Sequence, residues 1–513
     1  MDNLNIIFPK MGFNDSPFLF ILYLCPPINT FKVMITIDKL LSPKKGFSDV
    51  ILFDENDNFN HHLLNSEQEA YIINQHKDNK RTFFAFNNLT HWLIVYIFPL
   101  KKTEHATVEN LRKLGASALD FFDKEHIKNI NLLSNSSKEE VLGFVEGVYL
   151  SSYCFDNYKT DPSRLIHPFD HISVIHNNIE IEDIEHIRIV CEAVEKCKDL
   201  VNEPVCSLNA EGLAAAFVDM SREANINVEV FDKDKIEHLK MGGILAVNKG
   251  SIDPPTFTIM EYKPENHLNT QPLVLVGKGL VYDTGGLNLK PDDYMNDMKE
   301  DMAGAAMMAC AIYACSRLNL PIHIVGLFPA TDNRPGGNAY ASGDIINMYD
   351  GTNVEVVNTD AEGRMILADA LAYAKQYNPS LIIDAATLTG AASRAIGPFG
   401  IAAVENYAET YLSEMKQAGK DVYERIAEFP FWEEYDELIK SEIADIKNSG
   451  EKYAGMITAG KFLSHFTGEY PFIHLDIAGV AYNNTKKDYM GYGATGYGIR
   501  LMVKFIEKYF IQK

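Results

Sequence analysis

Apolar positions along this chain recur at two spacings, and the switches between them divide it into blocks. Asp49 to Phe53, Thr82 to Phe86 and Leu93 to Phe98 are short runs rich in β-branched and aromatic residues, which predicts strands. Val108 to Glu125 and Lys138 to Ser151 carry helical patterns instead. Their alternation with the strands predicts a sheet flanked by helices. A polar, proline-containing segment from Asp156 to Asn178 breaks the periodicity. Glu182 to Val201 resumes it, with Ile187, Val190, Val194, Cys197 and Val201 at three- and four-residue steps, the signature of one long amphipathic connecting helix. A second block follows, with apolar strands predicted at Leu273 to Val276, Ile322 to Leu327, Val354 to Val357, Leu381 to Asp384 and Ile473 to Ile477. The chain contains no internal repeat or low-complexity tract.

Composition narrows the classes. The 513 residues, 46% hydrophobic and 23% charged, supply cores for two or three globular domains. A net charge of -23 argues against broad binding to nucleic-acid phosphates, which requires lysine and arginine. The seven cysteines form no CxxC pair, which suits reduced thiols in a cytoplasmic chain. The apolar run Pro17 to Cys25 is too short to cross a membrane. It follows Asp2, Asp15 and a single Lys10, and precedes Pro26-Pro27, so it reads as part of an N-terminal extension rather than a secretory signal.

The chemistry concentrates in the second block. In Asn358-Thr359-Asp360-Ala361-Glu362-Gly363-Arg364 two carboxylates stand two residues apart, and they share a face if the preceding strand stays extended through them. By itself the segment reads more readily as a solvated turn with a capping acid. Upstream, an apolar strand runs into a glycine-rich loop carrying Lys278, Asp283 and Lys290. The loop lacks the glycine spacing and hydroxyl of a Walker phosphate loop. Asp301 opens a helix of small residues, where an N-cap is its plainest role. Four acids beside strand ends or a helix start would repel one another if clustered, and a divalent cation is their natural complement. His323, inside an apolar run, is the only histidine between Lys278 and Arg364. The site is therefore expected to be carboxylate-rich without imidazole, a donor set that selects no particular metal.

The segments VGKGLVYDTGG, NLKP, MKEDMAGAA, NTDAEGR, DAATLTGA and HLDIAG, in this order, resemble the leucyl aminopeptidase family of cytosolic two-metal exopeptidases. The match runs from about Glu182 to Ile506, with a weaker link at Tyr153 to Thr160. The resemblance implies two α/β domains: a macro-like N-terminal domain, and a catalytic domain with a mixed sheet flanked by helices. The corresponding boundaries are an extension at 1–32, the N-terminal domain at 33–165, a linker and connecting helix at 166–202, and the catalytic domain at 203–513. It implies one tightly held metal on Lys278, Asp283, Asp301 and Glu362, and a more exchangeable one on Asp283, Asp360 and Glu362, drawn from Zn²⁺, Mn²⁺, Co²⁺ or Mg²⁺. Lys290 would stabilise the tetrahedral intermediate. Arg364, with the backbone of Ala361, Gly363 and Leu388, would hold a bicarbonate acting as general base. Met298, Asn358, Thr387, Leu388, Gly390 and Ala478 would bind substrate, favouring short peptides with an apolar first residue such as leucine. A cytoplasmic homohexamer is implied as well, with no membrane partner and nucleic acid unfavoured.

Three positions depart from the family pattern: Thr284 in place of serine, Glu300 in place of an apolar or small residue, and Asp332-Asn333-Arg334 in place of Glu-Asn-Met. None removes an implied ligand. The competing readings are a two-metal phosphoesterase and a non-enzymatic hexameric binding or regulatory protein.

Overall fold

The computed structural model describes residues 35–161, 169–450 and 452–512. The apolar run at Pro17 to Cys25 and the extension at 1–32 lie outside them. Among the described residues the first sheet has six strands: β1 (Thr36–Lys39), β2 (Ser48–Asp54), β3 (Phe83–Asn87), β4 (Trp92–Phe98), β5 (Asn129–Ser134) and β6 (His171–Ile175), in the order β1-β6-β5-β2-β4-β3. All pairings are parallel except β3 with β4. Helices Glu104–Lys124 and Lys138–Ser151 pack on this sheet and on each other. The second opens with a capping box in which the Ser137 side chain accepts from the Glu140 N–H and Glu140 reaches back. Strand β6 falls in the stretch read from sequence as polar linker. Its Ile172 and Val174 are fully buried, and five residues suffice because β1 and β5 pair it on both edges.

Helix Ile181–Asn202, close to its predicted span, connects the two parts and packs against helix Ala303–Arg317. Beyond it lies a mixed sheet containing β7 (Asn227–Phe231), β8 (Thr256–Tyr262), β9 (Leu273–Gly277), β10 (Gly279–Asp283) and β11 (Ile324–Asn333). After β12 (Ile345–Asn347) and β13 (Asn353–Glu355), which stand apart, the same sheet continues with β14 (Leu381–Ala386), β15 (Ile401–Asn406) and β16 (Ile426–Glu428). It is completed, past β17 (Ile446–Lys447), by β18 (Phe472–Asp476). Its centre, β18-β14-β9-β11, is parallel, and antiparallel strands flank it on both sides. Four parallel strands therefore deliver their C-terminal ends to one edge, where open α/β sheets bind ligands. Helices Ala303–Arg317 and Glu362–Ala374 cover this sheet and are buried along nearly their whole lengths.

Strand β13 stops at Glu355 and belongs to a separate three-stranded sheet, β12-β13-β17, so the run predicted through Val357 ends early. The extended geometry does not persist to the acid pair. The chain turns at residues 359–360, and Glu362 is the first residue of a helix.

Candidate metal centre

Lys278 follows the last residue of β9. Its side chain passes Gly363 so closely that a Cβ there would sit 2.2 Å from Lys278 Cε. Glycine at 363 is thus a condition for the lysine's path. The Lys278 ammonium donates to both Asp301 oxygens at 2.7 and 2.6 Å and to the Thr387 carbonyl at 3.1 Å, and it lies 3.0 Å from Glu362 Oε1. Asp301 sits on the 3-10 turn Met298–Met302 ahead of its helix. Its carboxylate accepts from Lys278 and from Thr387 Oγ1, so it does not serve as the helix N-cap.

Asp283 ends β10. The following loop folds back through Gly285 and Gly286, both at positive φ (84° and 65°), conformations that favour glycine. It closes when the Lys290 N–H donates to the Thr284 carbonyl at 2.9 Å. Thr284 supplies the loop's hydroxyl, donating to the Asn333 carbonyl and accepting from the Gly286 N–H. The closure brings Lys290 Nζ to 2.7 Å from Asp283 Oδ2 and 2.6 Å from Asp360 Oδ1.

Asp360 and Glu362 converge on this cluster because a turn precedes the helix. The Asn358 side chain accepts from the Asp360 N–H at 2.9 Å, and its carbonyl accepts from the Ala361 N–H at 3.3 Å. Oxygens of Asp283, Asp301 and Glu362 all lie within 4.8 Å of one another. Glu362 Oε2 is buried with no hydrogen-bond partner among the described residues. The Asp360 side chain is 34% exposed and that of Glu362 2%. Burial, then Glu362 and Asp301, push Asp283 up to about 8. Burial pulls Lys278 and Lys290 down, but the surrounding carboxylates outweigh it and hold both ammoniums charged. Four carboxylates against two ammoniums leave excess negative charge and an unused oxygen. That fits divalent cations, and a cation at Lys278 would take the place of its proton.

Arg364 lies in the first turn of the helix begun by Glu362 and is 6% exposed. Its Nη1 donates to the Asn448 carbonyl at 2.8 Å, and Nε has no partner among the described residues. Burial pulls its pKa down to about 10. The Leu388 N–H points at Asp476 Oδ1, 3.3 Å away. Thr387 and Leu388 occupy the loop leaving β14, Gly390 opens the helix Gly390–Ile396 that follows it, and Ala478 lies in the loop leaving β18. Asp476 ties the two loops together by accepting from the N–H groups of Leu388, Thr389 and Ala478 and from Thr389 Oγ1. Met298 opens the turn that carries Asp301. His323 is paired with Glu261 at 2.8 Å, outside the acid cluster.

Several supports went unread in the sequence. Asn333 donates to Asp283 Oδ1 and to the Thr359 carbonyl, both at 3.0 Å, joining β11 to the turn. Thr359 Oγ1 donates to the Gly285 carbonyl at 2.7 Å and accepts from the Asn288 N–H, locking the glycine loop to the same turn. Thr359 stands inside the motif and Asn333 inside one of its departures, so both carried a local signal. Asn448 carried none.

The profile of the cytosol aminopeptidase family, catalytic domain, matches residues 195–503. A probable cytosol aminopeptidase of Chlorobium limicola is 43% identical over 411 residues, covering 77% of this chain and 80% of that protein. One from Chlorobaculum parvum is 49% identical over 323 residues, 63% of this chain and 64% of that protein. Among solved structures, a mutant leucine aminopeptidase from tomato superposes with a TM-score of 0.81 at 26% identity, covering 92% of this chain and 96% of that one. The bottromycin maturation enzyme BotP, also solved in complex with Mn, gives 0.79 at 26% identity, covering 90% and 99%. The chain belongs to the cytosol aminopeptidase family, and its enzyme class is that of the metal-dependent aminopeptidases.

Proposed function

We propose that this protein removes the first residue of short peptides, preferring apolar residues such as leucine, with two divalent metals at the acid cluster. Lys278, Asp283, Asp301 and Glu362 would hold the tighter one and Asp283, Asp360 and Glu362 the other, with Zn²⁺, Mn²⁺, Co²⁺ and Mg²⁺ all compatible. When bound, the metals would supply Lewis acidity toward a peptide carbonyl and water, and a bicarbonate on Arg364 would supply proton acceptance. Lys290 keeps its proton and donates a hydrogen bond to the carbonyl oxygen as negative charge develops there, a contact typically worth a few kcal/mol. Arg364 offers a planar donor set to the anion, which matches a bidentate oxyanion better than a lysine would. Met298, Asn358, Thr387, Leu388, Gly390 and Ala478 would line the subsite for the first side chain. A cytoplasmic homohexamer is the assembly proposed.

The observation that carries this reading is the convergence of Asp283, Asp301 and Glu362, from three separate segments, with oxygens within 4.8 Å of one another and a lysine nitrogen beside them. It is tested by hydrolysis of a panel of aminoacyl amides under defined Mn²⁺, Zn²⁺, Co²⁺ and Mg²⁺. Release of free amino acid, fastest from leucine amide, is expected. No release with any metal would overturn it.

A further inference from the structure

Asn448 follows β17, in a stretch to which the sequence assigns no chemistry, and it is fully buried. Strands β13 and β17 pair in parallel only at Val354 with Ile446 and Glu355 with Lys447. The last backbone bond of that pairing runs from the Asn448 N–H to the Glu355 carbonyl at 2.8 Å. Beyond it the Asn448 side chain takes over. Its Oδ1 accepts from the N–H groups of Val357 and Asn358 at 2.9 and 3.3 Å, and its Nδ2 donates to the Asn358 carbonyl at 2.7 Å. A side-chain amide offers the same donor and acceptor as a peptide unit, so Asn448 stands in for a strand just where the chain must leave extended geometry.

Both ends of the segment 358–364 thereby rest on one residue. Asn358, held at its N–H and its carbonyl, builds the turn that presents Asp360. At the other end the Asn448 carbonyl accepts from Arg364 Nη1. We propose that Asn448 is a positioning residue for the peptidase reaction, fixing Asp360 through Asn358 and Arg364 through its own carbonyl. This rests on the metal and anion roles proposed above for those two residues.

The test uses full-length, metal-loaded enzyme with Asn448→Ala and Asn448→Asp, and Asp360→Ala as reference. The aspartate is isosteric and keeps both N–H acceptors, but it sets an oxygen against the Asn358 carbonyl. Small misplacements of reacting groups cost up to about 100-fold in rate, so kcat on leucine amide is expected to fall about that far in both Asn448 variants. KM is expected to stay within about threefold of the parent. Titration with Mn²⁺ is expected to show the exchangeable metal bound about tenfold more weakly and the tight one unchanged, as for a perturbed outer partner of a ligand. Loss of stability alone would leave this split unmoved. Parental kcat and Mn²⁺ affinity in Asn448→Asp would overturn the proposal, and so would failure of both variants to fold, which would assign Asn448 to the fold only. If Asp360→Ala keeps its exchangeable metal, the ligand assignment fails instead.

Discussion

Two of the clusters of buried charge among the described residues contrast, one at the junction of the two sheets' helices and one at the end of the second sheet. At the junction, Arg112 donates to Glu146 at 2.5 Å and Glu109 at 3.4 Å. Arg500 donates to Glu424 at 3.0 Å, Glu146 at 3.2 Å and the Tyr489 hydroxyl at 3.3 Å, and that hydroxyl donates to Glu109. Glu424 also accepts from the N–H groups of Gly498 and Leu501. Burial pushes the Glu146 carboxyl up, but Arg112 and Arg500 outweigh it and hold the group down at about 2. In the second cluster the cations are lysines, compact charges in place of flat five-donor forks, and burial wins at Asp283, as it also does at Glu109 and Glu424 in the first. Burying acids and bases together does not make a site. The difference lies in what remains unsatisfied once every donor is spent.

The sharpest break between the clusters should come from removing charge in each. Lys290→Ala is expected to lower kcat on leucine amide by about 100- to 1000-fold, the scale of losing a transition-state donor, and Asp360→Ala, which removes a proposed metal ligand, by at least as much, both with an unchanged circular dichroism spectrum. Glu362→Ala should in addition lose bound metal by elemental analysis. Near-parental turnover in either of the first two would mean that the acid cluster is not the catalytic one.

At the junction the same operation should cost stability instead. Arg500→Met leaves Glu424 and Glu146 buried with fewer partners, and breaking such a pair typically costs about 3–5 kcal/mol. Denaturant unfolding reads this directly, while kcat of the folded fraction stays at the parental value. A fall in kcat without loss of stability would erase the distinction drawn between the clusters.

Some of this contrast is legible in the sequence, and some is not. The motif carries Asp360, Glu362 and Arg364 on neighbouring positions, and their meaning depends on Lys278, Asp283, Lys290 and Asp301 at fixed distances upstream. That pattern survives folding because Asp283 ends a strand, Asp301 and Glu362 stand just before or at helix starts, and Asp360 sits in the turn that leads into one. The way Asp360 and Glu362 converge was not legible, because β-strand periodicity cannot show that the extended chain ends at Glu355. Strand β6 was hidden by polar flanks, since its stability comes from neighbours on both edges. Asn448 acts across a gap of 84 residues to Arg364, and the junction cluster joins Glu109 to Tyr489 across 380. No local pattern encodes contacts of that range.

A smaller effect follows from pH. The Glu146 carboxyl is lowered from its ordinary 4.5 to about 2 in the folded protein. Its contribution is therefore present above 4.5 and is lost as pH falls toward 2, because the unfolded chain takes up the proton first. The shift corresponds to a contribution on the order of 3 kcal/mol. Glu146→Gln should flatten the acid limb of stability against pH between those values. An unchanged limb would mean that other carboxyls set it.

The smallest effect tests the comparison at its boundary. Glu300 precedes Asp301 on the same 3-10 turn. Its Oε2 is buried without a hydrogen-bond partner among the described residues. Burial, then Asp301 and Asp297, push its carboxyl up to about 8, and the nearby Lys278 is already engaged by Asp301 and Glu362. Glu300 thus shares the unsatisfied character of the metal cluster, yet the proposed ligand set has no place for it. A carboxyl raised on folding costs stability near neutral pH, where the unfolded chain ionises it freely, so Glu300→Gln, of the same size and uncharged, should raise the unfolding free energy of chelated protein at pH 7 by at least about 1 kcal/mol. Turnover with metal restored should stay within about threefold of the parent, because no interaction made in the transition state is removed. A less stable variant would show that Glu300 is held by a charged partner. A large fall in kcat would place it with the catalytic acids, and a buried carboxylate's unsatisfied valence would then mark function even outside the ligand set.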